Sequence, residues 1–164
     1  MAGPHALIEP LLALHERIRD SVREACARAE AEEMAAVAGE EGGDTIYAVD
    51  RVGEEVLVSG LEEIAREEPL VLLAEGLPGG AVTLPEGTPE EACVWRVLVD
   101  PIDGTRGLMY QKRSAWILTG VAPNRGAETR LRDVVLAVQT EIPLLKQHLA
   151  DQLWAVRGEG VRAR

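Results

Sequence analysis

Asp100 and Asp103 sit in the run Asp100-Pro101-Ile102-Asp103-Gly104-Thr105, directly after the apolar stretch Val94-Trp95-Arg96-Val97-Leu98-Val99. An apolar strand of that kind carries two carboxylates to its end, and a Gly-Thr turn follows them. Carboxylates repel when crowded unless positive charge lies between them. Hard divalent cations such as Mg2+ take oxygen ligands of this sort. Pro101 fixes the backbone between the acids, which orients both side chains and the Ile102 carbonyl. Gly104 permits an unusual turn, and Thr105 can open a helix whose free N–H groups would hold a phosphate. Asp-Pro and Asp-Gly pairs are also ordinary turn formers, so the hexapeptide alone reads equally well as a strand-ending turn. Two acids upstream, Asp50 and Glu75, weight the reading towards a metal.

The hexapeptide resembles the metal-binding motif of the inositol monophosphatase family, within the superfamily of Mg2+-dependent, lithium-sensitive sugar phosphatases. Other segments match in the same order. Gly43-Asp44-Thr45-Ile46-Tyr47-Ala48-Val49-Asp50 resembles the family's upstream Asp motif, and Leu72-Leu73-Ala74-Glu75-Gly76 its strand ending in a metal-binding Glu. Leu153-Trp154-Ala155-Val156-Arg157-Gly158-Glu159-Gly160 is similar to a later strand and its glycine turn. The resemblance implies that Glu75, Asp100 and the Ile102 carbonyl bind a first metal. Asp100 would bridge to a second metal that Asp103 also holds, and Glu75 would lie near a third. It implies that Asp50 and Thr105 orient the attacking water through a hydrogen-bonded relay, and that the amides of Gly104 and Thr105 hold the phosphate.

The activity implied is Mg2+-dependent hydrolysis of inositol phosphate or a similar small polyol or sugar phosphate, with Mn2+ as a substitute and Li+ as an inhibitor. Within the same chemistry, fructose bisphosphatase and bisphosphate nucleotidase activities are the runners-up. A non-catalytic metal- or phosphate-binding fragment acting by association is the alternative from another class. Three departures from the family pattern matter. Gly76 stands where a second acid usually follows the Glu. Arg106-Gly107-Leu108-Met109-Tyr110 replaces the usual polar and aromatic residues after Gly-Thr. Arg106, Lys112 and Arg113 in this region could touch a substrate phosphate, although solvated surface charges are the commoner case. Relatives also continue for about another hundred residues, with a Trp-Asp motif that completes the second metal site. The resemblance therefore implies that residues 1–164 are an N-terminal metal-binding domain without its C-terminal domain. The apolar surface left open would favour homo-oligomers.

Composition agrees with one globular unit. The chain has 164 residues, 46% of them hydrophobic, and a net charge of −11. That length suits one domain with a real core. The acidity disfavours nucleic-acid polymers and anionic membranes as partners. An acidic protein with a phosphate substrate needs local positive charge, which bound metal would supply. Cys26 and Cys93 read as reduced thiols, no signal peptide is visible, and no apolar run reaches membrane-spanning length. A cytoplasmic protein is the default expectation. His5, His15 and His148 have no zinc-ligand spacing. Ser114 lacks a nucleophile-elbow context. Gly76-Leu77-Pro78-Gly79-Gly80 lacks the ending of a P-loop.

These groups need elements to hold them. Leu7, Leu11, Leu14, Ile18, Val22 and Ala25 recur at helical spacing. A second helix begins near Asp50, which also suits an N-cap, and carries Val56, Leu57, Leu61 and Ile64 on its buried face. Strands are expected at 71–74, 94–99, 116–121, 134–140 and 153–156. Loops are expected at 38–44 and 76–89, and one or two helical turns at 143–149. With no phenylalanine in the chain, Trp95, Trp116 and Trp154 are the large core fillers. Short connections favour antiparallel pairing with helices on one face. The fold class is α/β of the α+β type: the N-terminal part of a layered sugar-phosphatase fold, two long helices on a largely antiparallel sheet.

Overall fold

The computed structural model describes residues 3–28, 37–41 and 44–164. A short 3-10 turn, Pro4–Leu7, leads into helix α1, Ile8–Arg28. Leu11, Leu14, Ile18 and Val22 form its buried stripe, at 0 to 2% exposure. Strands β1, Val37–Glu41, and β2, Asp44–Tyr47, form an antiparallel pair and lead directly into helix α2, Ala48–Ala65. Helix α2 buries Leu57, Leu61 and Ala65. The two helices cross closely at Gly60, where a Cβ would lie 2.3 Å from Leu14 Cδ1.

The chain then lays down a sheet. Its strands are β3, Leu70–Ala74; β4, Ala81–Leu84; β5, Trp95–Asp103; β6, Ala115–Pro123; β7, Leu136–Ile142; β8, Gln152–Val156; and β9, Gly160–Ala163. A short helix α3, Thr105–Met109, joins β5 to β6. Among the described residues the sheet has seven strands in the order β4-β3-β5-β6-β7-β8-β9. Short connections make every neighbouring pair antiparallel except β3 and β5, which run parallel with Leu70 opposite Trp95 and Ala74 opposite Val99. Residues alternate across the sheet. Ala115, Ile117 and Val121 of β6, and Leu136, Val138 and Ile142 of β7, point to the buried face. Helix α1 packs on β7 there, so the α+β layering expected from the sequence holds.

One buried contact on that face is polar. His15 of α1 lies 2.8 Å from Thr119 Oγ1 through Nε2 and 3.0 Å from Thr140 Oγ1 through Nδ1. Gln152 Nε2 donates to Thr140 Oγ1 and to the Leu12 carbonyl. Side chains from three strands therefore tie α1 in place. Burial drops the His15 pKa from 6.5 to about 3, so the ring is neutral.

The opposite face is open and apolar. Leu98, Leu118, Leu131, Ala137, Leu153 and Val161 line a groove of about 690 Å3 there, and Asp100 borders it.

Several expectations change. Residues 37–41 and 44–47 are strands, whereas a loop is expected from the sequence across 38–44, of which 42–43 lie outside the described residues. The 76–89 segment holds β4, which covers the edge of β3. Residues 143–149 form turns and no helix, with Gln147 capping the Leu144 amide through its side chain. Beyond the strand expected at 153–156, residues past the glycine turn form β9, which pairs with β8 as a hairpin. Trp95 is buried, with Nε1 donating to Glu68 at 2.8 Å, but Trp116 and Trp154 are half-buried on strands. Cys26 and Cys93 are free buried thiols, as expected, and burial pushes both thiol pKa values up. No described helix is long and apolar enough to cross a membrane.

Candidate functional site

Asp100 and Asp103 occupy one strand, β5, with an odd separation. Regular alternation would send them to opposite faces of the sheet. The pairing with β6 slips between them: Asp100 faces Leu118 and Asp103 faces Trp116, three residues matched against two. This bulge restores both acids to the exposed side while Pro101 and Ile102 stay buried. Proline suits such a position because its missing N–H costs no ladder bond there. The Ile102 amide turns back to donate to Asp100 Oδ1 at 3.1 Å.

Gly104 follows at φ 101, a left-handed conformation that side chains resist. Thr105 starts α3 with its Oγ1 2.7 Å from Asp50 Oδ1 and 3.0 Å from the Ile102 carbonyl. One hydroxyl proton serves one acceptor at a time, so the two bonds are alternatives.

Asp50 is in the first turn of α2, inside the helix and not at its N-cap. Its reach to Thr105 depends on Gly53, one turn on. A Cβ on Gly53 would lie 3.2 Å from Ile102 Cδ1 and 3.5 Å from Pro101 Cβ. The bare helix surface lets α2 settle against the bulge. Sequence reading gave Gly53 no role; a glycine inside a helical pattern three residues after Asp50 was the available signal.

Glu75 is the first residue after β3. Since Ala74 pairs with Val99, Glu75 stands level with Asp100 at the neighbouring strand end. Gly76 carries φ 85, and its missing side chain leaves room for a further acid: a Cβ there would lie 2.3 Å from Glu54 Oε1. Glu54, one helical turn past Asp50, was missed in the sequence, although spacing of four residues along a helix puts it on the same face.

The acids feel one another. Partial burial raises the Asp100 pKa above its ordinary 3.8, the Ile102 amide pulls it back, and Asp103 and then Asp50 push it up again. Asp50, Asp100, Asp103, the Ile102 carbonyl and Thr105 are thus gathered at one strand end. Among the described residues, no group of three or more Asp, Glu, His or Cys side chains is placed to hold a metal ion by itself. The donors are all oxygen, which fits Mg2+. That ion commonly keeps several waters and takes one or two carboxylates with the phosphate of its substrate.

No protein-family model and no curated protein sequence matches the chain. Solved structures do. Fructose-1,6-bisphosphatase from Leishmania major in its holo form superposes with a TM-score of 0.71 at 16% identity, covering 96% of this chain and 48% of that one. The extragenic suppressor protein SuhB from Bartonella henselae superposes at 0.68 with 18% identity, covering 96% of this chain and 52% of that one. The chain spans about half the length of these proteins. Over that half, its mixed sheet and stacked helices have the fold of fructose-1,6-bisphosphatase and SuhB.

Proposed function

We propose that this chain is the metal- and phosphate-binding half of a Mg2+-dependent phosphomonoesterase acting on inositol phosphate or a similar small polyol or sugar phosphate. The observation that carries the reading is the Thr105–Asp50 hydrogen bond set beside the Asp100–Asp103 bulge. A hydroxyl held by one carboxylate, next to two more carboxylates and a left-handed glycine turn, suits the ordering of a nucleophilic water.

Asp100, Asp103, Glu75 and the Ile102 carbonyl would hold the ions, and Gly76 leaves the third site without its usual second acid. Bound Mg2+ supplies a more acidic water and neutralises the charge that develops on phosphate and leaving oxygen. Asp50 accepts the Thr105 hydroxyl hydrogen bond, so that Thr105 Oγ1 can take a proton from the water as its own proton passes to Asp50. Gly104, bent into the left-handed region, leaves the backbone of the turn open to a phosphate. The similarity to fructose-1,6-bisphosphatase keeps a sugar bisphosphate as the second reading of the substrate.

Calorimetry on the 164-residue protein tests the site. Mg2+ binding that Asp100→Asn removes is the expected result, and equal affinity in the variant overturns the assignment. Phosphate release from inositol 1-phosphate tests the reaction. We expect the 164 residues alone to be slow and a chain extended by a C-terminal half to be fast, since one missing electrostatic element costs about a hundred- to a thousandfold. Absence of lithium-sensitive release in the extended chain would favour the non-catalytic alternative.

A further inference from the structure

Three cations follow the Gly104 turn, and the structure separates them. Arg106 is engaged with neighbours. Lys112 places Nζ 5.6 Å from the Tyr110 ring centroid. Arg113 has neither a side-chain hydrogen bond nor an ion pair among the described residues, in a protein of net charge −11.

Its position is nevertheless built. After α3 the chain reverses through Gln111, which sits at φ 51. Gln111 is pinned on both sides: Nε2 donates to the Leu108 carbonyl and Oε1 accepts from the Leu145 amide, each at 2.9 Å. The amides of Lys112 and Arg113 both point to the Gly107 carbonyl. This reversal lays the Arg113 side chain back along α3, over Gly107. A Cβ on Gly107 would lie 2.6 Å from Arg113 Cγ and 2.7 Å from Nε, so any other residue would push the arginine off. The guanidinium ends at Gly104, with Nη2 3.7 Å from where a Cβ on that glycine would be.

A guanidinium without a partner among the described residues, held beside a left-handed glycine turn at the edge of an acid cluster, suits a phosphate. Its planar fork matches two phosphate oxygens. Resting on the phosphatase reading above, we infer that Arg113 grips a phosphate group of the substrate at the Gly104 turn, and that Gly107 is the vacancy that lets it lie there. The ligand is a phosphate dianion. It belongs either to the scissile ester or to a second phosphate on the same sugar.

NMR titration with inorganic phosphate, with and without Mg2+, reads the site directly. The Arg113 Nε–H signal and the Gly104 and Gly107 amides should shift. Arg113→Ala should weaken binding about tenfold, the loss of one charge-assisted contact. Arg113→Lys should recover part of it, and Lys112→Ala should change it less than twofold. Gly107→Ala should weaken binding as Arg113→Ala does, yet add nothing in the Arg113→Ala background, which marks the two as one device. Titrations with inositol 1-phosphate and fructose 1,6-bisphosphate separate the sources. Equal loss for both ligands assigns the scissile phosphate, and loss for the bisphosphate alone assigns the second one. Phosphate binding unmoved by Arg113→Ala, or no shift at Arg113, overturns the inference. Failure of the phosphatase reading looks different: Arg113-dependent phosphate binding would persist with no ester hydrolysed.

Discussion

Thr105 Oγ1 and Asp50 Oδ1 lie 2.7 Å apart, joining the first turns of two helices across 55 positions of sequence. Nothing in either segment's local pattern asks for this bond. It exists because β5 carries Thr105 to the sheet end where α2 begins, and because Gly53 lets α2 close on Pro101 and Ile102.

Thr105→Ala should lower turnover in an active, extended chain by on the order of a hundredfold, the scale of a misplaced nucleophile. Mg2+ affinity should stay within about twofold, since the Thr105 hydroxyl is not among the oxygens proposed to hold the ions. Thr105→Ser keeps the hydroxyl and should keep most of the rate. Steady-state kinetics beside calorimetry checks the split, and equal loss of rate and metal affinity would show that Thr105 acts on the metal instead.

Asp100→Asn should stabilise the metal-free fold while abolishing Mg2+ binding. The Asp100 pKa is raised above 3.8 in the fold, so the native state holds its proton more tightly than the unfolded chain. Ionisation therefore disfavours folding: the penalty is absent below the unfolded value, grows as pH rises through the window up to the raised value, and is complete above it. Urea unfolding without metal at neutral pH checks this. A variant less stable than the parent would contradict it.

Gly76→Ala should destabilise the protein by roughly 1–3 kcal/mol, because φ 85 disfavours a side chain. Adding Glu54→Ala should relieve only the contact with the Glu54 carboxylate and leave the backbone strain. Thermal unfolding of the single and double variants checks it, and an unchanged melting temperature for Gly76→Ala would refute it.

His15 should make the fold acid-sensitive. Its pKa falls from 6.5 to about 3 on burial, so between these values the unfolded chain binds a proton that the native one does not. Its contribution is complete above pH 6.5 and is lost as pH falls towards 3, with a slope approaching about 1.4 kcal/mol per pH unit. His15→Leu should be less stable at pH 8, because Thr119 loses its partner, and should lose less stability than the parent on acidification. Denaturant midpoints at pH 8 and pH 5 compare the two chains, and parallel pH profiles would remove His15 from the account.

Much of the fold was legible in local pattern. The helical spacing from Leu7 to Ala25 predicted α1, the apolar runs at 94–99 and 134–140 predicted strands, and the short connections predicted a largely antiparallel sheet with helices on one face. Those signals are strong because burial repeats with the period of the element. Strand β4, with the burial pattern of an edge, has no such repeat and read as loop. Strand β9 is exposed throughout, so its sequence carries no apolar alternation to read.

The site divides the same way. The sequence alone singled out the residues proposed to carry the chemistry: Asp50, Glu75, Asp100, Asp103, Gly104 and Thr105 stand out by type and local order. Only the tertiary structure decided how they meet. The bulge that turns Asp100 and Asp103 to one face appears in the pairing with β6, and Glu75 reaches their level through the parallel register of β3. Gly53, Gly76 and Gly107 matter through the neighbours their missing side chains admit. A sequence displays a side chain that is present; the use of an absent one depends on what other segments, brought close by folding, place in the space it leaves.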